Sequence, residues 1–118
     1  MSLTLDFQDH VALLTHDDGK RNVFSPDAIR DFNEALDEVE AKSASLLWVG
    51  REGCFSAGFD LKVVTGGDAD AAAAMVKAGG ELAFRIFTFP HPVVCAVTGH
   101  CLALGSVMLV CADKRIGM

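Results

Sequence analysis

The sequence runs to 118 residues, a length at which one domain can bury roughly two-thirds of its unfolded surface. Ten Lys and Arg stand against sixteen Asp and Glu for a net charge of -6, and no basic stripe interleaved with aromatics occurs, which argues against a nucleic-acid partner. Hydrophobic residues make up 51% with a mean hydropathy of +0.33, so the expectation is parallel strands covered on both faces together with a surface that lacks its partner.

Leu3 to Phe7 and Val11 to Thr15 are short β-type runs separated by the polar Gln8-Asp9-His10, which reads as a hairpin. The segment His16-Asp-Asp-Gly-Lys-Arg-Asn22 reads as a polar loop, with no partner ligand at useful spacing to make His16, Asp17 and Asp18 a metal site. A helix is predicted from Ser25-Pro26-Asp27, which supplies an N-cap, a proline at the first helical position and an acid in the first turn. Ile29, Phe32, Leu36 and Val39 recur at helical spacing and mark its buried face, and the helix is predicted to end near Lys42. Ser45 to Val49 is a compact apolar run and hence a buried strand, followed by a loop from Gly50 to Lys62. A long helix is predicted from Asp68 to about Phe89, weakened in its middle by Gly79-Gly80 and stopped by Phe89-Pro90-His91-Pro92. Val93 to Val97 reads as a second buried strand, Gly99 to Leu102 as a turn, Ala103 to Ala112 as a buried helix, and Asp113 to Met118 as the start of another strand.

The apolar runs starting at Leu46, Val93 and Ile116 are separated each time by a helix, which demands parallel crossover connections. The predicted class is α/β, with a strand-strand-helix rhythm repeated about three times. A last strand at the carboxyl terminus would be an uncovered edge, so the chain is expected to be truncated.

Two stretches carry chemistry. In Cys54-Phe-Ser-Ala-Gly-Phe-Asp-Leu-Lys62 the small residues Ser56, Ala57 and Gly58 let the backbone approach a ligand, and the N–H groups that follow point outward. Its plainer reading is a tight turn with Asp60 as a helix cap. Ala96-Val-Thr-Gly-His-Cys-Leu-Ala-Leu-Gly-Ser106 leads from a strand into a helix and leaves free N–H donors near Leu104 and Gly105, and small-residue helix packing is its plainer reading.

Together these stretches resemble the crotonase (enoyl-CoA hydratase/isomerase) superfamily, in which an A-G-x-D loop precedes an A-V-x-G-x-x-x-x-x-G segment. Lys20-Arg-Asn22 and Ala112-Asp113-x-Arg115-Ile116 match the family as well, so the likeness covers the whole chain. It implies a repeated ββα spiral, truncated before its last turn and its C-terminal helices, with residues 1–118 as the amino-terminal part of one core domain. By position it implies that the backbone N–H groups of Phe59 and Leu104 form an oxyanion hole. It further implies that Lys20, Arg21, Asn22, Ala57, Asp60 and Leu61 surround the adenine, pantetheine and thioester of an acyl-CoA or enoyl-CoA. Coenzyme A then enters as part of the substrate, with no covalently bound cofactor and no metal, and a homotrimer is what the resemblance implies for a full-length protein, while the residues themselves leave the oligomeric state open. Two fixed donors in a dry site suit the negative charge that develops on a thioester oxygen.

Val107 departs from the family, whose hydratases carry a Glu three residues after the second donor. The resemblance therefore implies an isomerase-like reaction with one base supplied from beyond Met118, rather than two-glutamate hydration. The competing expectation is a non-catalytic fragment that binds coenzyme A. Glu81 is the one carboxylate of the long helix placed to face an acyl pocket, although charged helical residues are usually solvated. His100 is expected to be packed and hydrogen-bonded rather than a base.

Other classes fit less well. Gly53-Cys-Phe-Ser56-Ala-Gly58 misses the serine nucleophile elbow because its first glycine is one residue early. Gly99 to Ser106 has one residue too many between glycines, and no Lys, for a phosphate loop. Val93 to Ala112 is an uncharged stretch long enough to cross a membrane, but Thr98-Gly-His100 interrupts its centre. Cys54, Cys95, Cys101 and Cys111 form no C-x-x-C pair, and Met1-Ser2-Leu3 lacks the regions of a signal peptide, so a reduced cytoplasm is expected.

Overall fold

The computed structural model describes residues 3–101 and 104–117. A β-hairpin opens the chain, with β1 (Leu3–Gln8) antiparallel to β2 (Val11–His16) across a turn in which Asp9 takes a positive φ of 54°. After the short β3 (Val23–Phe24) comes α1 (Pro26–Ala41), whose N-cap Ser25 accepts a bond from the Ala28 N–H at 3.1 Å. Such a cap is worth about 1 kcal/mol. The predicted face of α1 is the buried one, with Ala28 and Ala35 added to Ile29, Phe32, Leu36 and Val39. Burying each of its large side chains contributes about 1.5–3 kcal/mol.

Next come β4 (Ser45–Val49), β5 (Gly53–Ser56), β6 (Gly58–Phe59), a single helical turn α2 (Leu61–Val64), and α3 (Ala69–Phe87) capped by Asp68. The order ends with β7 (Val93–Val97), β8 (Gly99–Cys101), α4 (Leu104–Cys111) and β9 (Lys114–Gly117). One five-stranded sheet runs β1-β2-β4-β7-β9, parallel from β2 onward, and β3-β6 and β5-β8 form two small parallel ribbons beside it. Each turn of the chain thus adds a strand to the large sheet, a short strand to a ribbon and a helix, which is the expected ββα spiral.

Several expectations need correction. Gly50 to Lys62 is more than a loop, since it contains β5, β6 and α2, and the Gly99 turn is β8, paired to β5 from Gly53↔Gly99 onward. Leu102, Ala103 and Met118, placed above in a turn, a helix and a strand, lie outside the described residues, as do Met1 and Ser2. The long helix, by contrast, runs through Gly79-Gly80 as expected. His16 belongs to the buried end of β2, not to a polar loop, because Ala12, Leu14 and His16 alternate onto the covered face of the sheet. His100 is exposed on β8 rather than packed. The strands are covered fully on one face only: Val11, Leu13 and Ile116 are exposed on the other, so the high hydrophobic content goes partly into a half-open sheet face.

The core lies between that sheet and the helices. Phe24, Phe32, Trp48 and Phe55 stack in series, with Phe32–Trp48 ring centroids 4.8 Å apart and Trp48–Phe55 5.0 Å apart, so the aromatic core reaches from α1 to the Cys54–Lys62 segment. Among the described residues no helix is long and apolar enough to cross a membrane, because Val93 to Cys111 is divided between β7, β8 and α4.

Candidate functional site

The segment 17–22 and the segment 54–62 come together through β3 and β6, which pair Val23 with Gly58 and Phe24 with Phe59. Gly58 holds a φ of 95°, a conformation that disfavours any side chain, and its N–H donates to Ser56 Oγ at 3.1 Å. Ser56 Oγ in turn donates to the Asn22 carbonyl at 2.8 Å, and the Ala57 N–H donates to the Arg21 carbonyl at 2.9 Å.

Asn22 is fully buried, and its side-chain amide donates to the carbonyls of His16 at 2.5 Å, Phe55 at 3.1 Å and Cys54 at 3.3 Å. Its Oδ1 accepts from the Asp18 N–H at 2.9 Å. The Asp18 carboxylate accepts from the N–H groups of Lys20, Asn22 and Val23 at 2.7, 2.9 and 3.1 Å. Partial burial alone would raise the pKa of Asp18, but these three donors, with His16 nearby, leave it below its ordinary value.

Between the two segments opens a cleft of about 680 Å³ lined by Asp18, Lys20, Arg21, Val23, Ser25, Asp60 and Lys62. Among the described residues Lys20, Arg21 and Lys62 take part in no ion pair. The two carboxylates bond to backbone rather than to these side chains, since Asp18 is held by backbone N–H groups and Asp60 caps α2 by accepting from the Lys62 N–H at 3.0 Å, and three cations against two carboxylates leave the lining one positive charge in excess. Three cations therefore face a solvent-open space suited to an anionic ligand.

Of the six residues expected around a ligand, Lys20, Arg21 and Asp60 share this cleft. Asn22 and Ala57 sit in the framework behind it, and Leu61 is exposed at the start of α2. Lys62 is the cation that sequence reading left unassigned, together with Asp18, Val23 and Ser25. Its signal would have been the β3–β6 pairing, which brings segments 32 or more residues apart into one wall and leaves no local pattern.

Phe59 and Leu104 approach each other over α3. A Cβ placed on Gly79 would lie 2.5 Å from Phe59 Cε1 and 2.9 Å from Leu104 Cδ2. The first turn of α4 presses equally closely on the 54–62 segment, because a Cβ on Gly105 would lie 2.7 Å from Ser56 Cβ and 3.0 Å from its carbonyl oxygen. Both glycines are needed for contact, and that contact sets the start of α4 beside β6.

Val107, one turn into α4, is 47% exposed. Glu81 is exposed and lies 4.0 Å from Lys77 on the same helix, which is a solvated pair worth little. Cys54 donates its thiol to the Arg21 carbonyl at 3.2 Å, and burial pushes its pKa up, as burial pushes Cys95 up to about 12; neither is an activated thiolate.

A family model described as enoyl-CoA hydratase/isomerase matches residues 6–117. A solved enoyl-CoA hydratase/isomerase family protein from Pseudomonas syringae superposes with a TM-score of 0.94 at 42% identity, covering 98% of this chain and 50% of that one. A Mycobacterium tuberculosis structure described as an enoyl-CoA isomerase superposes with a TM-score of 0.91 at 36% identity, covering 97% of this chain and 50% of that one. A probable enoyl-CoA hydratase from Bacillus subtilis is 29% identical over 98% of this chain and 46% of its own length. The chain thus spans about half the length of the relatives it matches.

Proposed function

Because the chain belongs to the enoyl-CoA hydratase/isomerase family, we propose that it holds an acyl-CoA thioester with the phosphates toward Lys20, Arg21 and Lys62. The thioester oxygen then meets the backbone N–H groups of Phe59 and Leu104. The observation that carries this reading is the cleft itself, where three cations without ion pairs stand directly beside the strand that contains Phe59. Coenzyme A enters and leaves as part of the substrate.

The chemistry follows from charge. Removing a proton from the carbon next to a thioester places negative charge on the carbonyl oxygen, and two fixed N–H donors stabilise the enolate without reorganising. Loss of one such donor costs about 3–4 kcal/mol in the transition state. The donors are backbone groups, so the Phe59 ring and the Leu104 side chain can pack against Gly79 of α3 and fix the position of those groups.

The reaction we favour is isomerisation with a single base that is not part of α4. No acid or base occurs in α4, and the half-exposed Val107 occupies the place where a hydratase of the family carries a glutamate. The same Val107 also supports a second reading, in which the protein binds coenzyme A esters without turning them over.

Incubation of the full chain with a 3-enoyl-CoA in deuterated water separates these readings. The expected result is exchange at C2 and movement of the double bond to the 2-enoyl position, with no 3-hydroxyacyl product. Hydration would overturn the isomerase reading, and binding without exchange or isomerisation would leave the non-catalytic one.

A further inference from the structure

The turn at residues 17–22 is held by a set of hydrogen bonds within itself and to β5. Asp18 and Asn22 bind each other reciprocally, since the Asp18 N–H donates to Asn22 Oδ1 at 2.9 Å and the Asn22 N–H donates to Asp18 Oδ1 at 2.9 Å. The remaining bonds of the Asp18 carboxylate fix Lys20 and Val23. The Asn22 amide fastens the turn to the Cys54 and Phe55 carbonyls of β5. The carbonyls between are held as well: Arg51 Nη1 donates to the Lys20 carbonyl, and the Cys54 thiol and the Ala57 N–H both donate to that of Arg21.

A carboxylate in the wall of an anion-binding cleft should weaken binding unless it does something else. Here its charge is directed into three backbone N–H groups, and two of the three cations that line the cleft, Lys20 and Arg21, lie inside the loop that it closes. We propose that Asp18 and Asn22 are positioning residues for ligand binding, forming a latch that sets Lys20 and Arg21 opposite Lys62 and fastens them to β5. The inference rests on the reading that this cleft receives the phosphates of coenzyme A. Neither side chain touches the ligand; both act through the backbone that carries the cations.

The sign of one substitution separates the latch from a bystander charge. Asp18→Asn removes a negative charge from the cleft but also the second acceptor oxygen and the charge that hold the turn, while Asp18→Glu keeps the charge and displaces it from the N–H groups. Coenzyme A affinity is measured calorimetrically over a range of salt on the full chain. Near-ultraviolet circular dichroism of the buried Trp48 verifies folding.

If Asp18 is a latch, both variants weaken binding about tenfold, the loss expected when a charge-assisted hydrogen bond that orders the site is removed. The salt dependence also becomes shallower, because fewer cations engage the phosphates. Destabilisation that leaves the folded site intact would not change that slope. If D18N fails to fold, D18E alone decides. Binding that is unchanged or tighter in D18N, or unchanged in D18E, overturns the latch. A wild-type protein that does not bind coenzyme A at all overturns the functional reading beneath it, and the latch with it.

Discussion

His16 ends β2 with both ring nitrogens buried and, among the described residues, without a hydrogen-bond partner, packed 5.2 Å from the Phe32 ring and 5.7 Å from that of Phe24. Burial lowers its pKa from 6.5 to about 4, against a smaller upward pull from Asp18 and Asp17. The unfolded chain therefore takes up the proton first, so this contribution to stability is complete above pH 6.5 and is lost as the pH falls toward 4. Urea unfolding should show a loss of about 3 kcal/mol over that window that is absent from a His16→Phe variant. Equal slopes in the two proteins would contradict the buried neutral imidazole. The sequence offered the cue to this residue in the alternation of Ala12 and Leu14, but the neighbouring Asp17 and Asp18 made it read as loop. Asn22, which the resemblance sets around the ligand, has a structural role that no local pattern announces. A buried asparagine that ties together three carbonyls looks, in a one-dimensional pattern, like a polar residue available to a ligand.

The longer elements were legible because their signals are local. A capping serine, a following proline and a stripe of apolar residues define α1, and compact apolar runs define β4 and β7. The ribbons β3-β6 and β5-β8 were not, since strands of two to four residues are defined by partners far along the chain rather than by periodicity. The adjacent glycines of α3 show the same division. Read locally, both weaken a helix by about 1 kcal/mol relative to alanine. In three dimensions only Gly79 has a reason to stay, because its missing Cβ makes room for Phe59 and Leu104, while Gly80 faces open space. Gly80→Ala should therefore raise stability by about 0.5–1 kcal/mol. Gly79→Ala should lower it by about 1–3 kcal/mol through overpacking and should displace Phe59 and Leu104, the proposed donors, reducing any turnover of a thioester. Thermal unfolding of the pair checks this, and equal stabilisation by the two alanines would remove the close contact from the account.

At the scale of the molecule the spiral explains why one short segment can serve two purposes. Each turn of strand, ribbon and helix leaves its connecting segment on the same side of the large sheet, so the 17–22 turn, the 54–62 segment and the start of α4 gather at one end of the ribbons. The first two enclose the cationic cleft, and the last two meet over Gly79, with Phe59 common to both arrangements. The repetition was visible in the sequence as a rhythm of apolar runs and helices, whereas the cleft was not, because it exists only where successive turns abut. Vibrational spectroscopy of an acyl-CoA carrying a ¹³C-labelled thioester carbonyl tests the proposed hydrogen bonds from Phe59 and Leu104 to the thioester oxygen most directly. On binding to the full chain, the labelled C=O stretch should move to lower frequency, and move less in Gly79→Ala. A bound thioester whose carbonyl stretch stays at its frequency in water or rises would contradict those hydrogen bonds.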